Sequence, residues 1–559
     1  MPTLDGEKDA TQSQIFGSPH LAHTTSRGVG DCETAEVVSV LQTETKRNIK
    51  SRHAQMLALG GTIGTALFVG TGQALAVSGP ANLFLAYSII CFFVYGIVLG
   101  VAEVAAYLPL PGSSMSFHAT RYVSQSLGFA MGWLYWYSFG ILIAYEITAA
   151  ALVIQYWNNP VPIVVWITIM MVVIVLLNTA PVRIYAETEF WFASIKVIMI
   201  IGLLILAVVL CLGGGPNGDR IGFSYWNEPR PMNDYLVDGA KGRFCAFIYA
   251  LVFSSFAFSF GPELVAVTGG EMRKPRTNMP IAAKNFAWRL LAFYALGSLA
   301  ISVICRSDAE GLTDGGYGAS ASPWVIAIKE AGIPILDSII NAGIIVSAWS
   351  SGNSFLYMSS RSLYSLAKTG NAPAVFARCN RWGVPIYAVL VSALFAPLAY
   401  LNVGNSTSEV FNWFVNLTNT AGFNSWICCC IILIRFRKAC VAQGVENLPY
   451  TSPFQPYVAW TCMVFFTMLL CLNGFSVFFP NQWSATSFLT AYIGAPIFLV
   501  IYFGHRIFHW NDAWVIDPLQ VDLYTDLDAF KENETDVELV QGKKGFHYRI
   551  VRLVRHLWE

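Results

Sequence analysis

At the centre of a long apolar segment stands the sequence Phe256-Ala257-Phe258-Ser259-Phe260-Gly261-Pro262-Glu263-Leu264-Val265. The segment runs from about Phe244 to Thr268, yet it contains glycine, proline and an acid where a lipid-facing helix would have none. Backbone N–H and C=O groups in hydrocarbon must be satisfied within the protein, so a helix breaks at that depth only where it is buried or lines a cavity. Two interpretations are open: a binding site at the break, or a proline kink in which Glu263 pairs with a neighbouring side chain.

The composition is that of a polytopic membrane protein. Of the 559 residues, 55% are hydrophobic and 12% are charged, whereas soluble domains have about 25% charged residues. The formal net charge is zero and no block of Lys and Arg stands out, so nucleic-acid binding is excluded as a function class. The cysteines form no CxxC pair, and Cys428, Cys429 and Cys430 lie in an apolar run. We therefore expect neither a disulfide framework nor a metal site.

About twelve apolar stretches approach the length of roughly twenty residues that a transmembrane helix needs. They run roughly from Met56 to Ser78, Leu83 to Leu108, Leu127 to Trp157, Val161 to Asn178, Phe190 to Leu212, Phe244 to Thr268, Phe286 to Cys305, Leu336 to Met358, Ile386 to Leu401, Val410 to Ile434, Tyr457 to Phe479 and Phe488 to Phe508. The predicted fold class is therefore an all-α polytopic membrane protein.

The distribution of basic residues predicts the orientation. The sequence Lys46-Arg47-Asn48-Ile49-Lys50-Ser51-Arg52 precedes the first span and places the N-terminus in the cytosol. Alternate loops are basic, as that orientation requires, and carry Arg121; Arg183; Arg273, Lys274 and Arg276; Arg361, Lys368, Arg378 and Arg381; and Arg435, Arg437 and Lys438. We predict cytoplasmic tails at residues 1–50 and 509–559 around a transmembrane domain at residues 51–508.

The two tails have different compositions. Residues 1–45 are polar and without periodicity, which predicts disorder and no cleavable signal peptide, and Lys8 is a candidate modification site. We expect ubiquitination and trafficking machinery to act on the tails. Residues 548–558 alternate basic and aliphatic side chains, which favours an amphipathic helix on the inner leaflet, with partner docking or a frayed end as alternatives. The sequon at Asn405 lies so near the membrane that we expect it to stay unglycosylated.

The first span contains a second anomaly, the glycine-rich sequence Leu59-Gly60-Gly61-Thr62-Ile63-Gly64-Thr65-Ala66-Leu67-Phe68-Val69-Gly70-Thr71-Gly72. Each glycine inside a helix costs about 1 kcal/mol relative to alanine. Close helix packing through small residues is one explanation. However, the break at Gly261-Pro262 falls five spans later, and paired interrupted segments in corresponding positions indicate a transporter site at the midplane. This pairing predicts a five-plus-five inverted repeat with broken helices 1 and 6.

The two breaks predict a site for a zwitterion. Free N–H groups near Gly64, Thr65 and Ala66, in the same segment as Thr62, favour a carboxylate. Free carbonyl groups near Ser259, Phe260 and Gly261 favour an ammonium group. These two features match the constant part of an amino acid, and the side chains of Phe256, Phe258 and Phe260 favour a small apolar substrate over a charged one.

Three charged residues lie within predicted spans. Lys196 in the fifth span is a candidate for binding and releasing a proton, or for acting as a fixed cation, and snorkelling to the inner surface is the alternative. Glu146, deep in the third span, is the second candidate for proton coupling or for lining the site. Glu103 lies nearer the inner end of the second span, and we interpret it as an inner-gate residue paired with Arg121 or Arg276.

Several motifs resemble the fungal amino acid permeases of the amino acid-polyamine-organocation superfamily. They are Gly60-Gly61-Thr62-Ile63-Gly64-Thr65, the Glu103 segment through Pro109-Leu110-Pro111-Gly112, Phe190-Trp191-Phe192-Ala193-Ser194-Ile195-Lys196, Gly269-Gly270-Glu271 and Ser360-Arg361-Ser362-Leu363-Tyr364. The resemblance covers about residues 46–509. It implies twelve helices, a five-plus-five inverted repeat and proton-driven uptake at the plasma membrane.

Within that family the chain is similar to fungal proline permeases. The motifs are Gly261-Pro262-Glu263-Leu264-Val265, Ser322-Pro323-Trp324-Val325, Asn341-Ala342-Gly343, Ser347-Ala348-Trp349-Ser350, Arg381-Trp382-Gly383-Val384-Pro385 and Phe411-Asn412-Trp413-Phe414. The resemblance implies that Lys241 and Phe244 influence substrate entry. The chain departs from the family at Ala66, where glycine is usual, and the added methyl group is expected to tighten the site or change its selectivity.

Together these observations predict a proton-coupled importer of L-proline at the plasma membrane. We do not expect it to be an enzyme, because no covalent chemistry is proposed. We also expect no cofactor, because the proton gradient supplies the energy. Permeases with another or a broader neutral substrate, such as alanine or 4-aminobutyrate, remain an alternative. A receptor that uses the fold to signal without transport is a second alternative, from a different function class. A channel is disfavoured because no charged or carbonyl ring repeat occurs.

Overall fold

A computed structural model describes residues 64–109, 114–157, 160–269, 275–312, 322–404, 407–445, 447–525 and 527, without the side chains of residues 267–269 and 408. Within these ranges the chain forms helices and no strand. The predictions at Lys8, at Thr62, at the Asn405 sequon and at residues 548–558 lie outside them.

The first half of the chain contains eight principal helices. They are α1 (Ala66–Ser78), α2 (Pro80–Tyr107), α3 (Met115–Tyr122), α4 (Gln125–Ile154), α5 (Ile163–Thr179), α6 (Val182–Cys211), α7 (Ala240–Ser255) and α8 (Gly261–Gly269). Helix α1 starts with a π-helical turn at Ala66–Gly70. A 3₁₀ turn at Phe256–Phe258 extends α7.

The second half contains eight more. They are α9 (Pro275–Ile304), α10 (Pro323–Glu330), α11 (Leu336–Lys368), α12 (Ile386–Val403), α13 (Thr407–Ala442), α14 (Tyr457–Leu472), α15 (Ala485–Tyr492) and α16 (Gly494–Phe508). Helix α9 includes a π-helical turn at Leu290–Ala295. Helices α15 and α16 meet at a bend of 46°.

Six helices of the described ranges are long and apolar enough to cross a membrane, or seven if α15 and α16 form one span. Each of the twelve predicted spans nevertheless overlaps a helix. Helices α11 and α13 are 33 and 36 residues long but carry many serine, threonine and asparagine residues. These polar side chains are mostly buried, so the two helices belong to the protein interior rather than to the lipid-facing surface.

Helix α6 shows how the sequence separates a lipid face from a protein face. Large apolar side chains at positions 191, 198, 205 and 212 are exposed, whereas the side chains at positions 189, 196, 203 and 210 are buried. Both sets recur every seven residues, which is two helical turns. The buried set packs toward α11, α9 and α5. Glu189 and Lys196 therefore point into the protein from one face of α6.

The predicted break in the sixth span is present. Helix α7 and its 3₁₀ turn end at Phe258, Ser259 is extended with ψ 127°, and Phe260 has a φ of +58°. Helix α8 then starts at Gly261 with Pro262 in its first turn, where the missing N–H of proline costs no helical hydrogen bond. A residue with a side chain rarely adopts the conformation of Phe260, so surrounding contacts must hold it there.

Candidate functional site

Helices α1 and α4 meet at a buried hydroxyl–carboxylate contact. Thr65 Oγ1 lies 2.8 Å from Glu146 Oε2, to which it donates a hydrogen bond, and 3.3 Å from the hydroxyl of Tyr145. Gly64 approaches the same carboxylate so closely that a Cβ atom there would lie 2.6 Å from Glu146 Oε1. Helix α1 starts directly after Gly64, so its first N–H groups lie close to this carboxylate. The structure thus brings Gly64 and Thr65 of the first break together with Glu146.

Lys196 reaches the same cluster from α6. Its Nζ atom donates a hydrogen bond of 2.9 Å to Ser351 Oγ on α11. Its charge interacts with that of Glu146, and the Ser351 hydroxyl lies 3.6 Å from the position of a Cβ atom on Gly64. Lys196 is fully buried, which excludes snorkelling to the inner surface in this conformation. The side chain therefore belongs to the interior cluster.

Glu189 is a buried charged residue that the predicted site does not include. Its Oε1 atom accepts a hydrogen bond of 2.7 Å from Ser350 Oγ, and its charge interacts with that of Lys196. Its spacing from Lys196 could have indicated its position. Glu189 lies seven residues before Lys196, which is two helical turns, so both residues are on the same face of α6. The predicted fifth span begins at Phe190, so the hydropathy pattern leaves Glu189 just outside the membrane.

The phenylalanines of the broken helix divide between two sides. Phe256 packs against Tyr145 of α4 with ring centroids 4.5 Å apart, and Phe260 packs against Phe139 of α4 at 5.1 Å. Phe258 instead contacts Tyr87 of α2 at 5.8 Å and Tyr294 of α9 at 4.4 Å. Phe258 therefore lies on the side of α2 and α9, and the other two rings lie on the side of α4, because residues of a tight helical turn point in different directions. That all three line one substrate pocket stays a prediction.

Three predicted small residues flank these aromatic rings. Gly261 and Ala66 are buried, at the first positions of α8 and α1. Ser259 is half-buried, and its Oγ atom lies 3.7 Å from where a Cβ atom of Gly422 on α13 would be. Thr62 lies before the first residue that the structure describes.

Glu263 has a polar partner rather than a cationic one. Its Oε1 atom accepts a hydrogen bond from Ser425 Oγ of α13, which also lies 3.0 Å from the hydroxyl of Tyr135 on α4. The Tyr135 ring packs edge-on against Phe260. Glu263 therefore ties α8 to α13 beside the break, as in the interpretation that pairs it with a neighbour.

Glu103 forms a tight ion pair, but not with the predicted partners. Both of its oxygens accept hydrogen bonds from Arg437 of α13, at 2.6 Å and 2.7 Å, and Ser452 donates to it from its N–H and its hydroxyl. Arg276 instead donates to the carbonyl of Tyr107, and Arg121 pairs with Asp522. The basic-loop pattern gives the side of the membrane but not which helices are neighbours, and here α2 packs against α13.

Lys241 and Phe244 lie far from the break. Both are in the first turns of α7 and exposed, and Phe244 is 63% accessible. Twelve residues separate Phe244 from Phe256, which is about 18 Å along a helix. Within the described ranges no cluster of three metal-ligating side chains occurs.

Residues 53–513 match the family described as amino acid permease. The chain belongs to the amino acid permease family. The fold of this family has twelve membrane spans, which agrees with the twelve predicted stretches and with the helices found at each of them.

Two curated relatives cover almost the whole permease. A protein named "Proline-specific permease" from Emericella nidulans is 45% identical over 91% of this chain and 94% of its own length. A protein with the same name from Saccharomyces cerevisiae is 45% identical over 88% of this chain and 80% of its own.

A solved structure shares the fold at low sequence similarity. It is the crystal structure of a mutant of the Eremococcus coleocola manganese transporter, with a TM-score of 0.53 and 12% identity. The match covers 82% of the permease and 94% of that chain. At this identity the similarity concerns the fold alone.

The interior of the permease thus combines two kinds of chemistry. The α4-facing rings of Phe256 and Phe260 provide an apolar surface beside the backbone break. The cluster of Glu146, Lys196 and Glu189 provides buried titratable groups, each hydrogen-bonded to a hydroxyl group of Thr65, Ser351 or Ser350. Interior charges in a membrane protein are costly to bury and mark ion or proton pathways.

Proposed function

We propose that this permease is a symporter that imports L-proline together with a proton. The observation that carries the substrate is the 45% identity to two fungal proteins named proline-specific permeases, over 91% and 88% of the chain. The transported molecule is a zwitterion with a compact apolar ring. Its two charges suit the helix start at Ala66 and the carbonyl groups around Ser259.

The shape of the broken helix supports a small apolar substrate. Phe256 and Phe260 pack their rings against the aromatic side chains of Tyr145 and Phe139 on α4. An amino acid with a charged side chain would lose its hydration against these rings without gaining a partner charge. Proline fits because its side chain consists of three methylene groups closed onto the amino nitrogen and adds no polar group of its own.

Proton coupling rests on the buried charges around Thr65. Glu146 and Lys196 interact with each other, Glu146 lies directly against Gly64, and Lys196 binds Ser351, whose hydroxyl lies close to Gly64. A proton that binds here changes the charge next to the start of α1, where the substrate carboxylate binds. Substrate binding and protonation are then linked, because each alters the free energy of the other.

The permease acts at the plasma membrane with both termini in the cytosol. The alternation of basic loops supports this orientation. The tails are then accessible to ubiquitination and trafficking machinery.

Uptake of radiolabelled proline tests the proposal in cells that lack their own proline permeases. Uptake is measured at external pH 5 and 7.5, with each common amino acid as competitor, and surface expression is measured in parallel. We expect uptake that is faster at pH 5 and blocked mainly by proline. Equal competition by alanine or 4-aminobutyrate would reject proline specificity, and surface-expressed protein without uptake would reject transport.

A further inference from the structure

We propose that Glu189 is the inward proton acceptor of this permease, receiving the proton from Lys196 and releasing it toward the cytosol. The inference rests on the proposed proton symport and adds a residue and a direction to it. Glu189 is 1% exposed, although it lies only about 10 Å along the helix from Val182, where α6 begins. Burial of a carboxylate costs free energy, and a position so close to the helix end would allow the side chain to reach water instead. Its burial therefore does not serve the stability of the fold.

Three consecutive residues of α11 each face one buried charge. The Ser350 hydroxyl binds Glu189, the Ser351 hydroxyl binds Lys196, and Gly352 leaves only 3.6 Å between its Cβ position and Glu146 Cβ. Ser350 and Ser351 are adjacent in the chain, so these two hydrogen bonds hold Lys196 and Glu189 at neighbouring positions of α11. Both hydroxyls donate and accept hydrogen bonds, which is what a proton relay requires.

Further polar atoms surround the second oxygen of Glu189. Asn353 and Ser354 of α11 face this carboxylate, and Tyr185 lies one turn before it on α6. Glu189 Oε2, Asn353 Nδ2, Ser354 Oγ and the Tyr185 hydroxyl are buried, and none makes a hydrogen bond to residues that the structure describes. Buried polar atoms without partners are costly, so their grouping around one carboxylate indicates a role other than stability.

The path continues toward the predicted cytosolic end of both helices. The Tyr185 ring stacks on Tyr357 of α11 with centroids 4.5 Å apart, and the guanidinium carbon of Arg361 lies 4.4 Å from the centre of the Tyr357 ring. Arg361 is half-buried and lies on α11 just beyond the predicted span, on the side predicted to be cytosolic. The chain of polar groups thus leads from the buried cluster to the inner surface.

The groups that influence Glu189 come from few elements. Lys196 and Tyr185 lie on its own helix, and Tyr357 and Arg361 lie on α11. Helix α5 and the Leu296–Ile304 part of α9, which also pack against α6, contain no titratable side chain. Lys196 interacts with both Glu189 and Glu146.

The proton balance of the step is simple. The Lys196 ammonium loses a proton to the Glu189 carboxylate by way of the Ser351 and Ser350 hydroxyls, which leaves a neutral amine and a neutral carboxyl group. The carboxyl group then releases the proton to cytosolic water and becomes a carboxylate again. Lys196 is reprotonated from the outer side in the next cycle, so one proton moves inward in each turn.

The test uses the full-length permease reconstituted in liposomes that contain a pH-sensitive dye. Two activities are measured: proline counterflow, which moves no net proton, and luminal acidification on addition of proline. Glu189→Gln keeps the size of the side chain and a partner for Ser350 but removes the proton acceptor. We expect counterflow within about twofold of wild type and acidification reduced by about tenfold or more.

Glu187→Gln is the matched control, because it removes a half-buried carboxylate two residues away on the same helix. It should leave both activities unchanged. Unaltered acidification in Glu189→Gln would overturn the inference, and so would loss of counterflow together with acidification in a folded protein. Wild-type permease that transports proline without acidification would instead reject proton symport itself.

A second variant covers the case in which Glu189→Gln does not fold. Ser350→Ala keeps the carboxylate but removes the hydroxyl that passes the proton to it. Proline-driven acidification should fall by about tenfold or more while counterflow is kept. Ser359→Ala serves as the control, because it removes a different hydroxyl of α11, the one that binds the Trp136 carbonyl of α4. Undiminished acidification in Ser350→Ala would contradict the relay.

Discussion

The Glu146 carboxylate occupies the space that a side chain at position 64 would need. A Cβ atom there would lie 2.6 Å from Glu146 Oε1, so a methyl group must displace the carboxylate from its hydrogen bond with Thr65. We expect Gly64→Ala to reduce proline uptake by about tenfold or more, with surface expression retained. Gly202→Ala on α6 is the control because its Cβ atom would meet nothing within 4 Å. Normal uptake by Gly64→Ala would show that the position of the Glu146 carboxylate is unimportant.

Lys196 provides the only lysine ammonium that the described part of the chain buries completely. Lys196→Met keeps the length of the side chain but removes the charge and the proton. We expect loss of proline accumulation against a gradient, with the protein still present at the cell surface. Lys284→Met, at an exposed position of α9, should accumulate proline normally. Uphill accumulation by Lys196→Met would remove Lys196 from the coupling role.

His118 on the short helix α3, between the second and third spans, makes stability depend on pH. Burial, together with the charge of Arg121, lowers the pKa of His118 from 6.5 to about 3. Between these two pKa values His118 is protonated in the unfolded chain and neutral in the folded chain. The free energy of unfolding therefore decreases as the pH falls. From pH 7 to pH 5 the contribution of this residue falls by about 2 kcal/mol.

The thermal midpoint of the purified permease in detergent measures this effect. We expect the wild-type midpoint to fall between pH 7 and pH 5, and His118→Leu to show a clearly smaller fall. His509→Gln, at an exposed position, should keep the wild-type dependence. Equal pH dependence in wild type and His118→Leu would show that another group is responsible.

At the scale of elements, the broken helix presents different faces on either side of its 3₁₀ turn. Phe260 lies against Phe139 and Tyr135 of α4, and Phe258 lies against Tyr87 and Tyr294 on the opposite side. Phe260→Ala should therefore open space beside the break and admit larger neutral amino acids. Phe258→Ala makes the same change of residue type on the other side of the break. It should lower the free energy of unfolding by about 3–5 kcal/mol without changing selectivity.

Competition of proline uptake by leucine and phenylalanine measures selectivity after correction for surface expression. We expect both amino acids to compete better in Phe260→Ala than in wild type and no better in Phe258→Ala. An unchanged competition profile in Phe260→Ala would place its ring outside the substrate pocket. The reverse pattern would place the pocket between α2, α9 and the break.

The sequence predicts these elements well where backbone chemistry determines them. Glycine, proline and an acid in an apolar segment predicted the break between α7 and α8, and Lys196 and Glu146 stood out as charges within apolar runs. The face of Phe258 was not predictable, because the direction of each side chain depends on where the 3₁₀ turn begins. Glu189 was missed because a hydropathy boundary placed it outside the span, although its spacing from Lys196 already put both on one face.

At the scale of the whole molecule, one ion pair joins distant parts of the chain near the C-terminal ends of α2 and α13. Glu103 and Arg437 form two hydrogen bonds, and Arg437 also donates to the carbonyl groups of Ser452 and Gln455. The Glu103 side chain is fully buried, whereas that of Arg437 is 20% exposed. Removing one partner leaves an uncompensated buried charge. The partner of Glu103 could not be predicted because 334 positions separate the two residues.

A double-mutant comparison tests this ion pair. Arg437→Met should destabilise the permease by about 3–5 kcal/mol, because Glu103 then keeps its charge without a cation. Adding Glu103→Gln should restore part of that stability, since the buried charge is gone. Thermal midpoints in detergent provide the measurement. A double variant as unstable as the sum of both single variants would show that the pair contributes no coupling.

The chain beyond the last span also packs against the C-terminal end of α13 and the segment between α3 and α4. Ile516 N–H donates to the carbonyl of Val123, and Gln443 donates to the carbonyls of Pro518 and Val521. Arg121 binds the carbonyls of Asp522 and Thr525. Residues 516–525 are therefore an ordered part of the structure, although the sequence predicted only a tail from residue 509.

The central claim is that proline and a proton cross the membrane together through the cluster around Thr65, Glu146 and Lys196. Its most direct test is the purified wild-type permease in liposomes without any other energy source. An imposed pH gradient, acid outside, should raise internal proline above the external concentration, and proline added without a gradient should acidify the lumen. Proline uptake that is independent of the pH gradient and leaves the luminal pH unchanged would contradict the account.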